Sequence, residues 1–365
     1  MIYNNIRRKS KEVIIGNRKI GGNAPLAIQS MTNTDTLDAA ATVAQIRAME
    51  EKGCDIVRVS VPTIEAADTI LKIKEAGIMI PIVADIHFDY RIALRCADLG
   101  FDKIRINPGN IGDDARVKAV CDACRTRGIP IRIGVNSGSL EKHILNKHGA
   151  PTPEALCESA LYHASLLEKY DFYNTVISIK ASTVADMIEA NRKLAEVCPY
   201  PLHLGVTEAG GGTRGLIKSS VGIGSLLCDG IGDTLRVSLT NDPTEEVDAA
   251  KQILQAVGIE GQCGLDIVSC PTCSRTKIDL IPLVKQFEEA AKREGLLEVP
   301  VKVALMGCVV NGPGEAREAD VGIAGGIGEA VLFRHGEIVE KIPEDAIIAR
   351  LLAEVRLLKD KLSNE

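Results

Sequence analysis

Between residues 26 and 240 one unit recurs eight times: a short β-rich run, a polar turn, then an amphipathic helix. The strand candidates are 26–31, 56–61, 82–87, 103–107, 131–136, 176–180, 202–207 and 234–239, with helical stretches such as 37–52, 64–76 and 186–196 between them. Eight strands alternating with helices predict a (β/α)8 barrel of the TIM type. A doubly wound open sheet is the alternative, but a count of eight favours closure. At 365 residues the chain has room for such a barrel and one smaller unit. The pattern breaks at Asn241-Asp242-Pro243, so the barrel is assigned to residues 1–243 and a connecting helix to 244–259. Residues 260–365 read as a smaller α+β unit: strand, cysteine loop, helix, strand, second cysteine loop, a hairpin-like stretch over 321–342 and a last helix over 344–362. The charged tail 350–361 reads as a solvated helix face.

The barrel strands carry polar residues at alternate positions, where strands buried on both faces should be almost wholly apolar. The pairs are Arg58 and Ser60, Asp85 and His87, Arg105 and Asn107, Arg132 and Asn136, Ser178 and Lys180, His203 and Thr207, and Arg236 and Ser238. Residues two apart share a face, and the apolar positions between them, such as Val57, Val59, Ile104, Ile106, Ile131, Ile133 and Val237, suit the outer helices. The polar set therefore points into the barrel, towards its C-terminal mouth. Five cations converge there: Arg58, Arg105, Arg132, Lys180 and Arg236. The acids expected on that face, Asp85 and Glu208, are too few to neutralise them, and a buried unpaired cation costs several kcal/mol. A polyanionic ligand supplies the missing charge, most simply a diphosphate or two phosphates; internal salt bridges to loop carboxylates are the competing explanation. After the seventh strand, Gly210-Gly211-Gly212-Thr213-Arg214-Gly215 leads into a helix, an arrangement that can turn backbone N–H groups towards phosphate.

The last third holds Ser269-Cys270-Pro271-Thr272-Cys273-Ser274-Arg275 and Gly307-Cys308-Val309-Val310-Asn311-Gly312-Pro313-Gly314-Glu315. Both segments follow short apolar or β-branched runs, so both cysteine sets belong on turns just beyond strand ends. Three thiolates on such turns suit an iron–sulfur cluster whose remaining iron is ligated differently. Structural zinc is the rival, although it normally takes a fourth Cys or His. The second Cys-x-x-Cys pair, Cys121 and Cys124, lies in a helical stretch without Pro or Gly and reads as core, as do Cys54, Cys96, Cys157, Cys198, Cys228 and Cys263.

Aromatic content of 3% without Trp argues against base-stacking platforms, and a net charge of −6 argues against binding nucleic acid or an anionic membrane. The first residues carry charge with no apolar stretch after them, and no run approaches membrane-spanning length, so neither a signal peptide nor a membrane span is expected. Eleven cysteines in that setting point to a reducing cytoplasm and to thiols or metal rather than disulfides.

The two cysteine segments, together with Ala27-Ile28-Gln29-Ser30-Met31-Thr32-Asn33-Thr34 and Val83-Ala84-Asp85-Ile86-His87-Phe88, resemble the bacterial two-domain 4-hydroxy-3-methylbut-2-enyl diphosphate synthases of the methylerythritol phosphate route to isoprenoids. The likeness runs through nearly the whole chain, without the large insertion of plant-type members. It implies reductive ring opening of 2-C-methyl-D-erythritol 2,4-cyclodiphosphate with uptake of two electrons. It also implies one [4Fe–4S] cluster per chain, held by Cys270, Cys273, Cys308 and, at rest, a displaceable Glu315. On the same basis the diphosphate is gripped by Arg58, Arg105, Arg132, Lys180, Thr207, Arg236 and Ser238, with Asn136 nearby, and Glu208 delivers a proton during C–O cleavage. Asp85 and His87 would support that inner face. The resemblance further implies a reduced flavodoxin or ferredoxin as electron donor, and a homodimer in which the cluster domain of one chain caps the barrel of the other. Two readings compete with it. A phosphate-binding barrel with a zinc-stapled tail would hold zinc, and an iron–sulfur electron carrier would leave the inward cations unexplained.

Overall fold

The computed structural model describes residues 6–181, 183–259, 264–310, 314 and 317–363. They divide into two compact units, 1–258 and 259–365.

The first unit opens with an antiparallel hairpin, β1 (Val13–Ile15) and β2 (Arg18–Ile20). Its tight turn falls at Gly16-Asn17, with Gly16 at φ +55°, the left-handed backbone that glycine adopts without penalty. Val13, Ile15 and Ile20 bury against Ala27, Ile56, Val83 and Val176, residues at or near the starts of their barrel strands, so the hairpin plugs the N-terminal end. The eight barrel strands follow: β3 (Ala27–Met31), β4 (Ile56–Ser60), β5 (Ile82–Asp85), β6 (Lys103–Ile106), β7 (Ile131–Asn136), β8 (Thr175–Lys180), β9 (His203–Leu204) and β10 (Thr234–Leu235). All pair in parallel in the order β8-β7-β6-β5-β4-β3-β10-β9, and a bridge between Ile177 and Leu202 closes the ring. The barrel expectation holds, with the last two strands shorter than their sequence runs. Beyond Leu204 the chain leaves the ladder at Gly205, where a Cβ would stand 3.0 Å from the Arg236 carbonyl.

Most outer helices begin where a short polar side chain caps the first turn. Asp38, Thr63, Asp89, Asp113, Thr152, Thr183 and Asp242 each accept a backbone N–H there. The helix Pro243–Ala256 departs from the expected connector. It packs on β3 through a face that includes buried Val247, Ala250 and Leu254, and so completes the barrel as its eighth helix. Its apolar spacing suits a helix docked on a sheet, which a solvent-spanning connector does not require.

In the second unit, β11 (Asp266–Ser269), β12 (Lys302–Met306) and β13 (Val321–Gly325) are parallel, and β14 (Glu329–Arg334) and β15 (Glu337–Pro343) extend the sheet antiparallel. Helices Leu280–Arg293 and Ile347–Leu362 contribute Phe287, Leu351 and Val355 to a core with Val303, Leu305, Ile323 and Leu332. The final helix is not simply a solvated face, because Glu354 is buried and receives Arg334 and Arg350.

Candidate active site

Parallel register sets the order of side chains inside the barrel. Arg105 on β6 pairs with Arg132 on β7, Asp85 on β5 with Arg105, and Asn136 with Lys180 on β8. Two guanidiniums thus stand side by side beneath the mouth, with Asp85 next to them. Asp85 Oδ1 lies 3.2 Å from Arg105 Nη1, and its Oδ2 3.7 Å from Arg58 Nε. Burial works against charge on Asp85, but Arg58 and Arg105 outweigh it and hold the carboxyl at about 2. Burial also pulls Arg58 down to about 10.

Arg132 is the extreme case. It is 0% exposed, and its Nε, Nη1 and Nη2 all lack a hydrogen-bond partner among the described residues. Burial, with Arg58 and Arg105 nearby, drives its affinity for a proton well below normal. Lys180 at the rim is lowered to about 6 by burial and by Arg58, Arg105, Arg132 and Arg236. The space for the Arg105 guanidinium comes from Gly134 on β7, where a Cβ would lie 2.4 Å from Arg105 Nε.

Above these groups, Arg58, Ser178, Lys180, His203, Thr207, Arg236 and Ser238 line one hollow. It adjoins a cleft of about 660 Å³ bordered by Asn136, Ser137, Gly138, Pro151, Lys180, Ala181, Thr207 and Glu208, the two sharing Lys180 and Thr207. Glu208 is solvent-exposed at φ +57°, a left-handed backbone unusual for a residue with a Cβ. Of the inward-facing candidates, His87 and Asn107 take other places. His87 lies past the end of β5 and is exposed at the rim. Asn107 caps the short helix Pro108–Ile111 by accepting the Gly109 N–H. Ser178 keeps its place on the hollow and donates to the Ile133 carbonyl at 3.1 Å.

Four residues inside the barrel escaped the sequence reading. Glu246, 3% exposed, receives Arg236 Nε and Nη2 at 3.1 Å each, the Ser30 hydroxyl at 2.8 Å and the Leu239 N–H at 3.1 Å. It replaces Glu208 as the second acid against the cations, since Glu208 forms no ion pair among the described residues. Lys103, fully buried, donates to Gln29 at 3.3 Å, and Met31 lies between Arg58 and Arg236. Alternation was the available signal for three of them: Lys103 is two before Arg105, and Gln29 two before Met31. Glu246 comes from a helix, where strand alternation says nothing.

In the second unit, β11 and β12 are adjacent with Ser269 opposite Leu305, so the two cysteine segments leave the sheet side by side. The Gly307 N–H donates to Cys270 Sγ at 3.3 Å. The backbone and side chain of Arg275 hydrogen-bond to Cys273 and lower its thiol pKa, favouring the thiolate a metal requires. Cys270 and Cys308 are half-buried and Cys273 is exposed. Glu315 lies outside the described residues, as does Cys263. Among the described residues, no group of three or more His, Cys, Asp or Glu side chains is close enough to hold a single metal ion. Thiolate-favouring surroundings and N–H donors to sulfur fit a sulfur-rich iron centre. By contrast Cys121 and Cys124 are buried in the barrel's helical layer, where burial pushes each thiol up to about 12.

Residues 10–251 match the GcpE TIM-barrel domain and residues 266–357 the GcpE protein C-terminal domain. Three similar proteins are each named 4-hydroxy-3-methylbut-2-en-1-yl diphosphate synthase (flavodoxin). That of Caldanaerobacter subterraneus subsp. tengcongensis is 55% identical over 98% of this chain and 99% of its own. That of Fusobacterium nucleatum subsp. nucleatum is 52% identical over 99% of each. That of Clostridium perfringens is 55% identical over 95% of this chain and 98% of its own. With both domain matches in chain order and full-length likeness above half identity, this chain belongs to the GcpE family.

Proposed function

We infer that the chain converts 2-C-methyl-D-erythritol 2,4-cyclodiphosphate to 4-hydroxy-3-methylbut-2-enyl diphosphate, the reaction for which its relatives are named, in isoprenoid biosynthesis. The observation that carries this reading is the buried Arg132 guanidinium, without a hydrogen-bond partner among the described residues and set among five further cations, Arg58, Lys103, Arg105, Lys180 and Arg236. A ligand with several negative charges suits that cluster of cations.

Each residue of the mouth then has a task. Arg58, Arg105, Arg132, Lys180 and Arg236 hold the diphosphate oxygens, and the hydroxyls of Thr207 and Ser238 donate at its edge. Lys180 takes up a proton as the anion arrives, because negative charge beside it offsets the burial and the neighbouring arginines that lower it. The cleft bordered by Asn136 and Glu208 receives the carbon skeleton. Glu208 stands there as proton donor to the departing oxygen, and Asn136 as the group that orients it. Cys270, Cys273 and Cys308, with Glu315 as a displaceable fourth ligand, would hold one [4Fe–4S] cluster. When bound, the cluster would relay the two electrons of the reductive ring opening from the external donor, one at a time. The relatives' names support a flavodoxin as the donor of those electrons. The family resemblance supports a homodimer in which the second unit of one chain caps the barrel of the other. No helix of the described residues is long and apolar enough to cross a membrane, and the free thiols suit the cytoplasm.

The test is anaerobic purification with iron, sulfide and zinc analysis, followed by turnover of the cyclodiphosphate with chemically reduced flavodoxin. About four irons and four sulfides per chain with formation of the linear diphosphate are expected. Zinc without sulfide, or a loaded protein that leaves the cyclodiphosphate intact, refutes the reading.

A further inference from the structure

Strand order places β3 between β4 and β10, and this puts Met31, the last residue of β3, between Arg58 and Arg236. Met31 is the register partner of Arg58. Its Sδ accepts Arg58 Nε at 3.0 Å and Nη2 at 2.8 Å, and lies 3.5 Å from Arg236 Nη1. One sulfur is therefore the shared acceptor of two guanidiniums that repel each other. Their outer flanks are held by carboxylates, Arg58 by Asp85 and Arg236 by Glu246.

The chemistry of the shared acceptor matters. A carboxylate between the two arginines would hold them more tightly but would cancel charge meant for the ligand. A thioether is a weak, uncharged and polarizable acceptor. It orients both guanidiniums, leaves their charge intact and yields easily when phosphate oxygens compete for the same N–H groups. A leucine of similar size would fill the space and orient nothing.

We propose that Met31 is a positioning residue that sets the spacing of Arg58 and Arg236 for the two phosphate groups while keeping their charge available. The proposal rests on the diphosphate reading given above. It separates acceptor strength, charge and volume, and three substitutions test these in turn: Met31→Leu removes the acceptor, Met31→Gln supplies an uncharged one, and Met31→Glu supplies a charged one. Each holoenzyme is assayed anaerobically for kcat and KM with the cyclodiphosphate, and for Kd with inorganic pyrophosphate by calorimetry.

Loss of an acceptor to charged donors is expected to raise KM and Kd about tenfold in Met31→Leu, with kcat within about twofold of wild type. Met31→Gln recovers most of that loss. Met31→Glu binds more weakly than Met31→Leu, and its affinity falls less steeply with added salt because less net charge is engaged. Unchanged KM and Kd in Met31→Leu, or Met31→Glu binding as tightly as Met31→Gln, overturns the role of Met31. A wild-type holoenzyme that neither turns over the cyclodiphosphate nor binds pyrophosphate overturns the functional reading, and this proposal with it.

Discussion

Replacing Arg132 with methionine should make the ligand-free protein more stable and the liganded protein less so. Arg132 is wholly buried, and none of its three guanidinium nitrogens has a partner among the described residues. Arg58 and Arg105 add repulsion, and Asp85 returns only part of the attraction. Replacing a buried ion pair or triad with apolar side chains of similar volume is often neutral or stabilising by about 1–4 kcal/mol, and removing Arg132 orphans no hydrogen-bonded partner among the described residues. Taking about 2 kcal/mol, and about 2–4 °C of Tm per kcal/mol for a domain of this size, the ligand-free variant should melt roughly 4–8 °C higher. The ligand reverses the order. Truncating one partner of a buried, hydrogen-bonded charge pair costs about 2–5 kcal/mol of binding, a loss of at least roughly thirtyfold in affinity. At a concentration of one hundred times its Kd, pyrophosphate stabilises wild type by about 2.7 kcal/mol. The same concentration should stabilise the variant by well under half that. Anaerobic calorimetric melts of both holoenzymes, with and without pyrophosphate, measure all four quantities. A ligand-free variant that melts lower than wild type, or one that gains as much from pyrophosphate, refutes the argument that Arg132 is strained until an anion binds.

Three further outcomes follow from the same geometry. Because Lys180 sits at about 6 in the free protein and needs its proton to hold an anion, affinity for pyrophosphate should weaken as pH rises above about 6, by up to about tenfold per unit. Calorimetry in two buffers of different ionisation enthalpy should then report proton uptake at pH 7.5, and none would remove Lys180 from the binding step. Gly134→Ala places a Cβ where the Arg105 guanidinium lies, so KM should rise about tenfold or more while the fold persists at a cost of about 1–3 kcal/mol; an unchanged KM would show that Arg105 has another seat. Glu208→Gln, at the exposed rim, should cut kcat by about 10²–10⁴ with KM little changed, and a normal kcat would exclude it as proton donor.

How much of this was legible beforehand differs residue by residue. The barrel could be read because the alternation of β-rich and helical segments is local, and the inward cations because side chains two apart on a strand share a face. Pieces such as β9 and β10 are shorter than their β-rich runs, since propensity does not register where the hydrogen-bonded ladder ends. The hairpin at 13–20 lies outside the predicted elements although its Gly16-Asn17 turn is a recognisable signal.

The two cysteine motifs raise the expectation of a metal centre from sequence alone, because thiol chemistry and the turn residues around it are written locally. Which acid answers which arginine was a different kind of question. Glu246 reaches Arg236 from a helix ten residues on, and Met31 reaches it from a strand 205 residues earlier in the chain. Only ring closure makes β3 and β10 neighbours. Local pattern therefore determined which strand charges face the barrel interior, and tertiary structure decided their partners, Glu246 among them. Pairing energy depends on distance in space, and the sequence records distance along the chain.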